Sequence, residues 1–228
     1  MVIRVWRQFE TYFFRGILLL PAVVLAMTAA PHLVSGIARE WTFPVPQFIA
    51  SGREVPAESY RETGKILAAA AAVDGESAIL SARALYLAGD KGEGLARQTK
   101  WGLSRAPASG AGWTLLAALQ APSTPKTAAE ALAVSLELAP YDRTLAPWRM
   151  KVAAALWDRL SSDAQNDEIR EIRQLWAGGK DERLAAVELL SVPGGTKLMD
   201  AALKTQSEDL RLLNRMAMRL RLGLPAGE

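Results

Sequence analysis

The chain has 228 residues, of which half are apolar and 22% are charged, and its formal net charge is +3. This composition is typical of a folded globular protein and does not describe a disordered chain or a nucleic-acid binder with a large basic face. Cysteine is absent and His32 is the single histidine, which excludes disulfide scaffolds, thiolate nucleophiles and cysteine zinc sites. We therefore predict no catalytic residue, no cofactor and no metal site.

Residues 16–38 contain no acidic or basic side chain other than His32. As a helix this stretch would be about 34 Å long, enough to cross a hydrocarbon core of about 30 Å. Trp6 and Trp41 flank it, as aromatic residues flank membrane helices at the two interfaces. The sequence therefore predicts a transmembrane anchor at residues 16–38.

The arginines around this predicted anchor are unevenly distributed: Arg4, Arg7 and Arg15 precede it and Arg39 follows it. Because basic flanks stay in the cytoplasm, residues 1–15 are predicted to be cytoplasmic. The chain after the anchor is then periplasmic, on a bacterial inner membrane. Two alternatives stay open. One is a signal peptide cleaved near Thr28-Ala29-Ala30, which the following Pro31 disfavours, and the other is a buried helix of a soluble protein.

Prolines at positions 44, 46 and 56 make residues 39–56 a semi-rigid linker. The next domain, residues 57–222, is predicted to be entirely helical, and residues 223–228 are a short tail. No segment alternates apolar and polar residues as a strand does. Helix starts are predicted from N-cap residues and from proline at the first helical position; they are Asp74, an Asp90–Glu93 capping box, Ser109 and Thr124-Pro125.

The predicted helical pairs repeat at a nearly constant distance. Pro107 and Pro140 each end a pair and lie 33 residues apart, and Trp113 and Trp148 each open one and lie 35 residues apart. A period near 34 residues in paired helices is typical of tetratricopeptide repeats. The stretch from residue 109 to residue 141 resembles that family most clearly, with the alternative of an irregular alanine-rich bundle.

This resemblance implies a helical solenoid with a groove that binds a partner's peptide or helix. Carried over by position, the family's groove falls on Thr114, Ala118, Arg149 and Ala153. For Arg149 a plain packing role is the alternative.

A second resemblance depends on three stretches: SRAPASGAGWTLLAAL, SLELAPYDRTLAPWRMKVAAALWDRL and EIREIRQLW. Together with the N-terminal anchor they resemble membrane-anchored, tetratricopeptide-like proteins of proteobacterial exopolysaccharide gene clusters. The resemblance covers about residues 104 to 176 and implies a cellular process but no reaction. It favours protein partners in the inner membrane or periplasm, beside the lipid bilayer itself.

The last predicted helix carries Arg211, Arg215 and Arg219 at intervals of four residues, which places them on one basic face. Such a helix can cap the solenoid, lie on anionic lipid or dock a partner.

Taken together, these features predict a membrane-tethered periplasmic scaffold in exopolysaccharide or cell-envelope assembly. The alternatives are an enzyme acting on envelope glycans and an envelope stress or division adaptor of the same architecture.

The arginine asymmetry makes the topology testable. A reporter enzyme that is active only after export, fused after Trp41, should be active in cells, because the basic flank keeps residues 1–15 in the cytoplasm. The matched control is a reporter that is active only in the cytoplasm, fused at the same position. A signal from that control alone would contradict the predicted orientation.

Overall fold

A computed structural model of the protein describes Ala29, Leu33, Gly36, Ile37, residues 55–204 and residues 206–222. Within these residues it contains helices joined by short turns and no strand, which confirms the predicted all-α class. The α-helices in chain order are α1 (Ala57–Ala71), α2 (Gly75–Leu87), α3 (Glu93–Arg105), α4 (Gly110–Gln120), α5 (Pro125–Leu138), α6 (Ala146–Leu156), α7 (Ser162–Trp176), α8 (Lys180–Glu188), α9 (Gly195–Leu203) and α10 (Ser207–Arg221). Short 3₁₀ turns follow α6 and α8.

Two predicted N-caps are confirmed. The carboxylate of Asp74 accepts a hydrogen bond from the Ser77 amide at 2.9 Å, and the hydroxyl of Ser109 accepts one from the Gly112 amide at 3.3 Å. Each bond satisfies an amide that has no partner inside its own helix.

The predicted capping box at Asp90 is wrong. Helix α3 begins only at Glu93, after Gly92 with φ 126°, a backbone conformation that suits glycine. The carboxylate of Asp90 lies instead 3.9 Å from the guanidinium of Arg61 on α1.

From α1 to α8 each helix packs on the next one along the chain. In addition, α2 packs on α4, α4 on α6, and α5 on α7. The main hydrophobic core extends from α2 to α10 and includes Leu132, Met150, Ile172 and Leu198, all fully buried. At the C-terminal end, α10 packs on α8 and α9. Because each helix covers its neighbours, no helical pair buries its apolar face alone.

The predicted transmembrane anchor lies outside the described residues, apart from Ala29, Leu33, Gly36 and Ile37, which are helical and exposed. In the part of the chain that the structure describes, no helix combines the length and the apolar character needed to cross a membrane.

Two glycines allow α2 and α3 to approach closely. A Cβ atom on Gly102 would lie 2.8 Å from the carbonyl oxygen of Gly75 and 2.7 Å from Cγ1 of Ile79. Backbone cannot move aside as a flexible side-chain end can, so these two helices cross at a distance that only glycine permits.

The substitution Gly102→Ala should therefore have a free energy of unfolding about 1 to 3 kcal/mol below that of Gly94→Ala, because alanine's better helix propensity raises both and overpacking lowers only Gly102→Ala. Urea unfolding followed by far-ultraviolet circular dichroism measures this. Gly94 is the matched control on the same helix, since it is exposed and a Cβ there would meet nothing within 4 Å. If Gly102→Ala were as stable as Gly94→Ala, the close crossing of α2 and α3 would be disproved.

Candidate functional site

Arg149 on α6 is fully buried, and its guanidinium joins three consecutive helices. One terminal nitrogen donates to the carbonyls of Ser135 and Ala139, at 3.2 and 2.9 Å, at the end of α5. The other pairs with the carboxylate of Glu171 on α7. A buried charge needs such partners, because desolvation without them costs several kcal/mol.

The predicted groove residues lie in and beside this interior. Thr114, Arg149 and Ala153 are fully buried, and Ala118 is half-buried against the core. The hydroxyls of Thr114 and Ser135 lie 2.8 Å apart and both reach the carbonyl of Gly110. The structure thus links Thr114 to Arg149 through Ser135, but it places both side chains away from solvent.

Glu168 lies one turn before Glu171 on α7 and is also fully buried. Neither of its carboxylate oxygens has a hydrogen-bond partner among the described residues. Burial raises the pKa of Glu168 well above its ordinary value of 4.5, the negative charge of Glu171 raises it further, and Arg149 opposes both effects. Burial also raises the pKa of Glu171 to about 7, against the opposing effect of Arg149. Burial therefore favours the neutral form of Glu168.

A second cluster lies where α2 meets α6, and sequence reasoning missed it. The Tyr86 and Trp148 rings are 6.1 Å apart and tilted by 38°, and the Arg83 guanidinium lies 5.0 Å from the centre of the Trp148 ring. Tyr86 and Trp148 pack with Leu119 of α4 against a small apolar cluster. A guanidinium over an indole face is a favourable cation–π contact. The signal available in the sequence was an arginine inside the otherwise apolar run AILSARALYL.

The predicted C-terminal basic face is solvent-exposed. Arg211, Arg215 and Arg219 are all exposed on α10, while Leu213 and Met216 on its other side are buried in the core. This helix therefore covers the end of the core and presents its arginines outward.

The carboxylate of Asp158, in the 3₁₀ turn after α6, is exposed and lies 2.8 Å from Nζ of Lys197. It therefore differs sharply from the buried Glu171 in its surroundings. Among the described residues, no group of three or more side chains could hold a metal ion.

Comparisons with protein-family models, with curated proteins and with solved structures found no match. The resemblances to tetratricopeptide-repeat proteins and to proteins of exopolysaccharide gene clusters stay predictions.

The burial of Glu168 generates a prediction about pH. Because folding raises its pKa, the folded chain binds this proton more tightly than the unfolded chain does. The stability that the proton contributes is present below pH 4.5 and is lost as pH rises through the folded pKa. Above 4.5 the loss is about 1.4 kcal/mol per pH unit until the folded pKa is reached.

Glu168→Gln, which carries no proton to lose, should lack this part of the decline. Urea unfolding at a series of pH values should show the free energy of unfolding of the variant rising relative to that of the unmodified chain as pH rises. Glu130→Gln is the matched control, because Glu130 is exposed on α5. Parallel stability curves for the unmodified chain and Glu168→Gln would contradict a neutral Glu168.

Proposed function

We propose that this chain is a helical-repeat interaction module that holds a protein partner on the face where α2, α4 and α6 lie side by side. The repeat architecture is supported by the starts of these helices at Gly75, Gly110 and Ala146, which are 35 and 36 residues apart. A tetratricopeptide-like solenoid would have this spacing and this order of neighbours.

One observation carries the proposal: the half-buried cluster of Arg83, Tyr86 and Trp148 connects the first and third of these helices across the second. Tyrosine, tryptophan and arginine are the residues that most often dominate binding energy at protein interfaces. Leu87, next to the cluster on α2, is an exposed large apolar residue. This face therefore has the chemistry of an interface centre.

The predicted membrane anchor would hold this module at the periplasmic side of the inner membrane, in exopolysaccharide or cell-envelope assembly. A glycan-acting enzyme is less well supported, because the two carboxylates that glycoside hydrolysis needs must converge on a cleft. Glu168 is enclosed by the core, and Glu171, which lines a small pocket with Glu137 and Asp167, is paired with Arg149.

Site-specific photo-crosslinking in living cells tests the proposal. A photoreactive residue in place of Leu87 should give one discrete adduct with a protein partner. A photoreactive residue at Arg97, exposed on α3, is the matched control and should give none. The purified partner should then bind the unmodified chain and lose affinity for Trp148→Ala. Equal adducts at both positions, or no adduct at Leu87, would contradict binding on this face.

A further inference from the structure

The guanidinium of Arg83 has no polar partner. It makes no hydrogen bond and no ion pair with any residue that the structure describes. By contrast, the half-buried Arg183 donates to the carbonyl of Trp176 at 2.9 Å, and Arg61 donates to the carbonyl of Ala88 at 3.2 Å. Arg83 is therefore unlike the other half-buried arginines of the described chain.

The two ends of this guanidinium differ in exposure. Its Nε is buried without a hydrogen-bond partner, whereas its two terminal nitrogens are not among the buried unpartnered atoms. Since these terminal nitrogens also lack a partner, they keep some exposure to solvent. An incoming group would approach them from a side that the Trp148 ring does not cover.

The nearest acid does not complete the site. Asp142 attracts the charge of Arg83 electrostatically but forms no ion pair with it. Its Oδ1 accepts hydrogen bonds from the Thr144 amide at 2.9 Å and the Thr144 hydroxyl at 2.7 Å. Burial lowers the pKa of Arg83, against the opposing effects of Asp142 and of the Tyr60 phenol. No acidic group among the described residues therefore forms an ion pair with Arg83.

We propose that Arg83 is the anchor for an acidic side chain, aspartate or glutamate, of the protein partner. This inference rests on the proposed function, since it names the chemistry of the partner on the same face. A planar guanidinium binds a carboxylate through two parallel hydrogen bonds, and the adjacent aromatic rings exclude water that would weaken them. A singly charged carboxylate fits better than a phosphate dianion, because Asp142 repels the second negative charge.

Selection of a displayed random-peptide library on the immobilised full chain tests this proposal. The selected peptides should share an acidic position, and its change to asparagine or glutamine should raise Kd about tenfold or more, since a charge-assisted hydrogen bond contributes about 1.5 to 3 kcal/mol. Arg83→Gln should remove the preference for the acid. Arg83→Lys should keep part of this preference, because the positive charge remains although the two parallel N–H donors of the guanidinium are lost. Arg97→Gln on α3 is the matched control and should bind as the unmodified chain does.

The outcomes are distinguishable. Peptides that bind Arg83→Gln as tightly as the unmodified chain, while still depending on Trp148, would overturn the role of Arg83 and leave the proposed function standing. Failure to select any peptide that depends on Trp148 would overturn both. A phosphorylated residue that binds better than the acid at that position would contradict the choice of a carboxylate. Unchanged thermal unfolding of Arg83→Gln establishes that lost binding is not lost folding.

Discussion

The buried contact between Arg149 and Glu171 is the constraint on which the middle of this structure depends. It brings a charged side chain of α6 against the last carbonyls of α5 and a carboxylate of α7. The Ser135 and Ala139 carbonyls also accept backbone hydrogen bonds, at 3.1 and 3.4 Å, so the arginine is a second donor to each. Without these partners and Glu171, the guanidinium would be an uncompensated buried charge. One arginine therefore fixes the relative position of three helices, and the hydroxyl pair of Thr114 and Ser135 extends this polar network to α4.

Trp148 precedes Arg149 on the same helix, so a turn of about 100° separates the two side chains. With Arg149 directed into the core, Trp148 lies at the edge of the core and meets Tyr86 and Arg83 of α2. The polar interior and the proposed interface are thus two consequences of one helix orientation. The two arginines differ at their terminal nitrogens: both of those of Arg149 have polar partners, whereas those of Arg83 have none among the described residues and its guanidinium lies over an aromatic ring.

Local signals predicted much of the fold. N-cap residues such as Asp74 and Ser109, and Pro125 at the first helical position, act within a few residues of themselves, so the sequence reveals their effect. The surroundings of Arg149 could not be predicted this way, because its partner Glu171 is 22 residues away on another helix. The predicted groove set shows the same limit: the repeat resemblance assigns Thr114 and Ala153 to a groove, and contacts between helices bury both side chains. The wrong capping box at Asp90 shows the same limit over a shorter distance, since the positive φ of Gly92 places the start of α3 two residues later than the prediction needs.

A double-mutant cycle on Arg149→Met and Glu171→Leu tests the central claim most directly, with the free energy of unfolding as the measured quantity. Glu171→Leu leaves the buried charge of Arg149 without its partner and should cost about 3 to 5 kcal/mol. Arg149→Met should cost less, because without the arginine that lowers its pKa the Glu171 carboxyl becomes neutral. The double substitution removes both charges, and its cost should fall below the sum of the two by more than about 1 kcal/mol. Costs that simply add would show that the two side chains do not interact in the folded chain and would contradict this account of the core.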